Sequence, residues 1–413
     1  MAENQRIVEA ILGALSFRGA TPERLSSLSQ SEWQDLLLYA DLSHLTLPLA
    51  VNCSGYLPEW VYNRVQQNLR DNTARAKAIT TAYREVQGAF NAAGIEHIVL
   101  KGFAQCPDYV SDMSLRFQSD LDLYCPPSSI FRAAEVLRQL EYEAIPTPPN
   151  ADHLPVMIRK ESWNWRGNPY DPEMPPSIEL HYRFWNRDLM RFGPAELQQF
   201  YWRRISRSLG DLSFPGLSIV DNLGFSALEV LRDLLWFGLL AHKPYELAYF
   251  LHRRADDGEF WDEWKHTHDE DLRSWQAISF FLAASCFECN LSTAVAEQIE
   301  RLPSPILKWI ARHAKESLIT YRTLNKNAVW MHVALVQPLL GKFMVVMRMF
   351  PKNPEIQRAL GTSAKRDPDF RSWKDFVRYI LYCLSRVPRH VVSVPRTLYR
   401  GAGLLLPQHR RHS

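Results

Sequence analysis

Two aspartates, Asp120 and Asp122, are separated by a single leucine within the run Ser119–Cys125. The run alternates polar and apolar residues for most of its length, as a β-strand does, so both carboxylates are expected on one face with Cα atoms about 6.5–7 Å apart. Two like charges held side by side are unfavourable unless a cation neutralises them. Mg²⁺ binds carboxylate oxygens together with substrate phosphates, and Mn²⁺ is the alternative ion. The pair therefore predicts a metal site for phosphoryl transfer, although such pairs also occur by chance on surface strands.

Three residues that precede the pair could bind phosphate. Lys101 and Gly102 follow Ile95–Leu100, which predicts a short buried strand that ends at a turn. Glycine lets a phosphate approach the backbone, and lysine supplies a positive charge for it. Arg116 lies four residues before Asp120 and is a candidate phosphate clamp. Each residue also has a structural interpretation, in which Gly102 only makes the turn and the two cations are surface charges or partners of the aspartates.

A later run, Ile178–Phe184, also alternates polar and apolar residues and predicts another strand. Glu179 and His181 then lie on one face of it. A carboxylate from an adjacent strand would complete a three-carboxylate metal site with Asp120 and Asp122. His181 could orient a carboxylate, contact a phosphate, or be a core histidine whose hydrogen bonds are satisfied.

The elements that must position these residues divide the chain into four parts. Helical spacing of apolar residues predicts a helical region over 1–90, and Gly94 stands where a long helix should end. A core over 91–215 holds the strands, with weaker strand candidates at Tyr142–Ile145 and Leu154–Arg159. A mostly helical domain follows over 216–364, and a basic tail over 365–413. The expected fold class is α+β, with a small mixed sheet flanked by helices and mostly helical N- and C-terminal regions.

Three segments in this order resemble an uncharacterised nucleotidyltransferase family of the DNA polymerase β superfamily. They are His97–Gly102, Leu115–Leu123 and Ile178–Arg183, and the resemblance extends over about residues 75–260. It implies transfer of a nucleoside monophosphate from a nucleoside triphosphate to an acceptor, with Mg²⁺. By this resemblance Asp120 and Asp122 match the paired metal ligands.

The resemblance also assigns the remaining site residues. Glu179 matches the third acidic position, and Gly102 matches the glycine of the nucleotide-gripping turn. The predicted site therefore has Asp120, Asp122 and Glu179 as catalytic metal ligands, and Lys101, Gly102, Arg116 and His181 as nucleotide- or phosphate-binding residues. The sequence departs from the superfamily pattern in three ways: Phe103 follows Gly102 where a second Gly or a Ser is common, the gap from Gly102 to Asp120 is longer, and the third acidic residue is Glu rather than Asp.

The composition is that of a globular protein, with 46% hydrophobic and 23% charged residues. The net charge of +3 excludes a polycation that binds nucleic acid along its whole length, but residues 365–413 hold 11 Lys or Arg against 3 Asp. Such a tail indicates either contact with an anionic surface or a solvated chain end. No signal peptide and no transmembrane segment is expected. The expected location is the cytoplasm, with peripheral membrane contact through Val329–Phe350 and the tail as a further interpretation.

Other functions are compatible with the same residues. The chain could be a non-catalytic module that binds a nucleotide, a nucleotidyltransferase toxin that modifies RNA or protein, or an accessory protein of surface-polysaccharide synthesis. The expected partners are a nucleoside triphosphate and an acceptor that is a small molecule, a protein or an RNA. The sequence identifies neither the acceptor nor the base of the nucleotide.

Overall fold

The computed structural model describes residues 2–145, 152–159, 163–194, 197–236, 238–319 and 327–347, together with 395, 397 and 398. Within these residues the helices are α1 Ala2–Ala14, α2 Gln30–Ser43, α3 Thr46–Asn52, α4 Glu59–Ala92, α5 Ile130–Gln139, α6 Arg187–Met190, α7 Gln198–Trp202, α8 Ile219–Leu235, α9 His242–Arg253, α10 Gly258–Thr267, α11 Glu270–Phe287, α12 Thr293–Glu300, α13 Ser304–Ile319, α14 Ala328–Leu335 and α15 Leu339–Val346. The strands are β1 Ile98–Val99, β2 Asp120–Tyr124, β3 Tyr142–Ala144, β4 Met157–Arg159, β5 Ser177–His181, β6 Ile205–Leu209 and β7 Leu212–Gly216. Short 3₁₀ helices cover Pro22–Ser27, Ser54–Tyr56, Gly102–Gln105 and Met113–Leu115. The predicted α+β class is confirmed.

The seven strands form one mixed sheet in the order β3-β4-β5-β2-β1-β7-β6. The β2–β5 and β1–β7 pairs are parallel, and the other neighbours are antiparallel. The strand β1 is shorter than the run that predicted it. The hairpin β6–β7, which turns at Gly210 with φ +58°, was not predicted. Its first strand lies at the sheet edge and alternates between exposed and half-buried residues, so it lacks the buried apolar run that marks a central strand.

The two faces of the sheet pack against different sets of helices. Leu121 and Leu123 are fully buried in a core that they share with Ile178, Leu180 and the helices α4 and α5. The opposite face contributes Tyr124 to the larger core, which is built mainly from the helices. Because side chains alternate along a strand, the polar residues between these leucines point toward the helical side.

The long helix α4 ends where the sequence predicted. Ala93 is its C-terminal cap, and Gly94 follows with φ +62°, a conformation that glycine adopts without a steric penalty. Ser129 occupies the N-terminal cap position of α5, but its hydroxyl donates to the Pro126 carbonyl at 3.2 Å instead of accepting from the helix.

Predictions for the last part of the chain lie mostly outside the described residues. These include the basic tail and a helix expected at 373–385 from helical spacing. None of the described helices is both long enough and apolar enough to cross a membrane.

Candidate active site

The register of β2 and β5 places Asp122 directly opposite Glu179, so the two carboxylates share one face of the sheet. His181 follows on the same face, and its Nε2 lies 2.9 Å from Asp122 Oδ1 and 3.5 Å from Glu179 Oε2. The potential ligand atoms of these three side chains all lie within 4.8 Å of one another. In the part of the chain that the structure describes, no other group of three or more His, Cys, Asp or Glu side chains meets this criterion. Asp122 and Glu179 therefore lie side by side, and their role as metal ligands stays a prediction.

Asp120 lies on the same strand face, opposite Ser177, but it is outside this close group. Burial, together with the negative charges of Asp122 and Glu179, raises the pKa of its carboxyl to about 7. Asp120 therefore binds a proton far more readily than an isolated aspartate. The raised pKa therefore results first from burial and then from the two neighbouring carboxylates.

Asp122 and its neighbours form a charged hydrogen-bonded cluster. Burial opposes ionisation of Asp122, but Lys101 and the hydrogen bond from His181 bring its pKa below the ordinary value. Burial also opposes protonation of His181, yet hydrogen bonds to Asp122 and Glu179 raise its pKa. The pKa of Glu179 is lowered because the His181 hydrogen bond and Lys101 outweigh its burial and the charge of Asp122. His181 thus bridges the two carboxylates.

Lys101 follows β1, and its Nζ lies between two carboxylates. The distance is 2.7 Å to Asp122 Oδ1 and 3.3 Å to Glu229 Oε2 on α8. Burial lowers the pKa of Lys101, but the charges of these two partners raise it above the ordinary value, so the side chain is charged. Lys101 is therefore the partner of an aspartate, which is one of the two interpretations that the sequence left open. Its binding of a phosphate stays a prediction.

Glu229 belongs to a buried ion network that the sequence reasoning missed. Its carboxylate pairs with Arg232 Nη1 at 2.5 Å and with Lys243 Nζ at 3.6 Å, and Arg232 Nη1 reaches Asp152 Oδ2 at 3.7 Å. Almost all of α8 is buried, including Glu229. A buried carboxylate is costly unless it is paired. The position of Glu229 within the mostly apolar segment Phe225–Leu231 was the sequence signal that could have indicated it.

Arg116 pairs with a carboxylate from α9. Its Nε lies 3.0 Å from Glu246 Oε1, and both side chains are 11% exposed. The backbone before β2 is fixed from α4, because Asn72 Nδ2 donates to the carbonyls of Ser114 and Arg116 at 2.6 and 3.0 Å. Arg75 adds a bond from Nη2 to the Gln118 carbonyl at 3.1 Å. The strand that carries the aspartates is thus held by a helix far away in sequence.

Gly102 is required by the packing of its neighbours. Its φ is +66°, and a Cβ at this position would lie 2.0 Å from Gln118 Nε2. The Gln118 amide donates to the Asp120 carbonyl at 2.6 Å, and its Oε1 accepts from Phe103 N at 3.0 Å. Glycine at this position therefore leaves room for the Gln118 side chain, which connects the turn to β2 by hydrogen bonds. The contact of Gly102 with a phosphate stays a prediction.

A cavity of about 20 Å³ lies between the sheet and the helices α8 and α9. Its lining includes Lys101, Arg116 and Lys243, together with Glu229 and Glu246. A cavity of this size holds about one water molecule. The cations that line it therefore face carboxylates in this conformation.

A family model described as "Uncharacterised nucleotidyltransferase" matches residues 29–287. The matched range contains all seven strands of the described sheet and all the candidate site residues of β2, β5, α8 and α9. No curated protein and no solved structure matches the chain.

Proposed function

The chain belongs to this family of uncharacterised nucleotidyltransferases, since the family model matches more than half of it, and we propose that it moves a nucleoside monophosphate from a nucleoside triphosphate to an acceptor with a divalent cation. One observation carries the proposal. The parallel register of β2 and β5 brings Asp122 beside Glu179, within the matched range and next to Asp120. Acidic side chains from two adjacent strands on one face are what a metal-dependent phosphoryl transfer needs.

The residues fit a divalent cation. Three carboxylates from two adjacent strands share one face of the sheet. Besides burial, the charges of Asp122 and Glu179 raise the pKa of Asp120, and a cation would offset that repulsion. We assign Asp120, Asp122 and Glu179 as ligands of Mg²⁺ or Mn²⁺, because carboxylate oxygens suit these hard ions. His181 donates to Asp122 and fixes its orientation, as residues behind metal ligands commonly do. A bound ion would polarise the triphosphate and offset the charge that develops at the α-phosphorus.

The reaction is one displacement at phosphorus. An acceptor oxygen forms a bond to the α-phosphorus, the bond from that phosphorus to the bridging oxygen breaks, and pyrophosphate leaves. Glu179 is the carboxylate suited to take the acceptor proton, because its side chain is 21% exposed whereas that of Asp122 is 4% exposed. Lys101 and Arg116 would hold the β- and γ-phosphates after separating from Glu229 and Glu246. Positioning of the two substrates and neutralisation of the phosphate charge would then supply most of the rate enhancement.

The test is to incubate the full-length protein with each α-labelled nucleoside triphosphate, Mg²⁺ and a cell extract. We expect label from one or more nucleotides to appear on an acceptor, which is then identified as a small molecule, a protein or an RNA. The Asp120→Asn variant should stay folded and give no product, and Asp211→Asn is the matched control because that side chain is 88% exposed. The absence of product with every nucleotide, or equal product from Asp120→Asn, would contradict transfer by this site.

A second candidate function is nucleotide binding without transfer. Lys101 already lies 2.7 Å from Asp122, and the adjoining cavity has room for about one water molecule. Such an arrangement also suits a site in which the positive charge of Lys101, in place of a metal ion, neutralises the charge of Asp122. Calorimetry with ATP and with CTP, each with and without Mg²⁺, separates the two functions. Nucleotide binding without turnover on any acceptor would favour the binding module.

A further inference from the structure

The helix α15 presents large apolar side chains to solvent. Leu339 is 84% exposed, Leu340 74%, Phe343 57% and Met344 44%, and Met347 just beyond the helix is 40% exposed. These positions recur at intervals of one, three and four residues, so they form one continuous strip along a helix. We call these five residues the α15 stripe.

The side of α15 opposite the stripe packs against the protein. Gly341 and Val345 face inward and are buried, and Val345 belongs to the large helical core. Single exposed apolar residues are normal on protein surfaces, whereas a contiguous apolar strip indicates a contact. Lys342 is the one charged residue within α15. A partner that binds the stripe would therefore make mostly apolar contacts and few hydrogen bonds.

The sequence that follows α15 is strongly basic. Residues 348–413 contain 14 Lys or Arg against 4 Asp or Glu. Thr397, within this sequence, returns to the helical region, where Trp330 Nε1 donates to its carbonyl at 2.7 Å. Trp330 lies on α14, the helix that precedes α15 along the chain and packs against it. The apolar stripe and the positively charged residues are thus adjacent in the sequence.

We propose that the α15 stripe binds the surface of a bilayer that contains anionic phospholipids. The helix would lie in the plane of the membrane with the stripe among the acyl chains, and the basic sequence would contact the headgroups. Stable attachment of a peripheral protein generally needs two such contributions. A nucleic acid would account for the charge but not for the stripe. A second copy of the chain would bring two strongly positive sequences together, which is unfavourable.

The proposal is tested by flotation of the full-length protein with vesicles of phosphatidylcholine, alone or mixed with phosphatidylserine. We expect binding to the mixed vesicles that weakens as salt is raised. The double variant Leu340→Ser, Phe343→Ser should bind about 100-fold more weakly, at about tenfold for each large side chain withdrawn from the lipid. The double variant Phe131→Ser, Trp202→Ser is the matched control, since those side chains are 73% and 71% exposed on other helices.

Five results would overturn the inference. The protein could fail to bind mixed vesicles, or it could bind phosphatidylcholine alone equally well. The stripe variant could bind as tightly as the wild type. A melting temperature lowered by the stripe substitutions, with binding unchanged, would mean that the protein's own chain covers the stripe. A dimer in solution that these substitutions dissociate would assign the stripe to self-association.

Discussion

Replacing Asp120 by asparagine should stabilise the metal-free protein and at the same time abolish metal-dependent transfer. The carboxyl has a pKa raised from 3.8 to about 7 by burial and by Asp122 and Glu179. A folded-state pKa above the unfolded value means that ionisation of Asp120 destabilises the fold. This penalty begins above pH 3.8 and is complete above pH 7. Asparagine has no such charge, so its advantage should grow across that pH window.

The expected magnitude follows from the shift. A change of about three pKa units corresponds to about 4 kcal/mol at pH 8, and screening at this partly exposed residue reduces the gain to about 2 kcal/mol. Asp122→Asn should behave in the opposite way. Asp122 is 3% exposed and accepts from Lys101 at 2.7 Å and from His181 at 2.9 Å. Removing its charge leaves buried cations undercompensated, which costs about 3–5 kcal/mol.

The assay is urea unfolding in EDTA at several pH values, repeated with Mg²⁺. Wild-type protein should gain about 2.7 kcal/mol when Mg²⁺ is present at 100 times its dissociation constant, and Asp120→Asn should lose most of that gain. The ranking of unfolding free energy in EDTA at pH 8 should be Asp120→Asn, then wild type, then Asp122→Asn. An Asp120→Asn variant that is destabilised like Asp122→Asn, or that keeps the full response to Mg²⁺, would refute the assignment of excess negative charge and of a metal to this face.

Two further predictions concern residues around the site. Gly102→Ala should cost about 2–4 kcal/mol, from a positive φ and from displacement of Gln118 with its two hydrogen bonds. Gly94→Ala, with φ +62° and no atom within 4 Å of its Cβ, should cost only about 1 kcal/mol. Burial lowers the pKa of His97 to about 4, so the wild type should lose about 1.4 kcal/mol per pH unit as pH falls from 6.5 toward 4, and His97→Gln should remove this part of the slope.

Denaturant unfolding checks both predictions. Equal losses for the two glycine variants would mean that Gln118 moves aside freely. An unfolding free energy whose pH slope between 6.5 and 4 is the same in His97→Gln and wild type would show that His97 is not held neutral in the folded protein.

Local patterns predicted the strands that carry the carboxylates. The alternation around Asp120 and Asp122 and around Glu179 reports which residues face the same side, because a strand has a period of two. The position of Gly94 likewise follows from a local rule for helix ends. The edge strand β6 was missed because it has no buried apolar face to mark it. The strand β7 was missed although it buries Leu212 and Phe214 on one face. The assignment of Lys101 and Arg116 to phosphate rested on their chemistry alone, which does not report their partners.

The sequence by itself determined the α+β class, the order of the motifs and the face on which each acidic residue lies. These properties depend on short-range periodicity and on residue type. The tertiary structure alone decided that β2 lies beside β5, and that Lys101 and Arg116 face Glu229 and Glu246. Those partners lie far along the chain on α8 and α9, and their proximity depends on how the helices pack against the sheet, a property that no local pattern encodes.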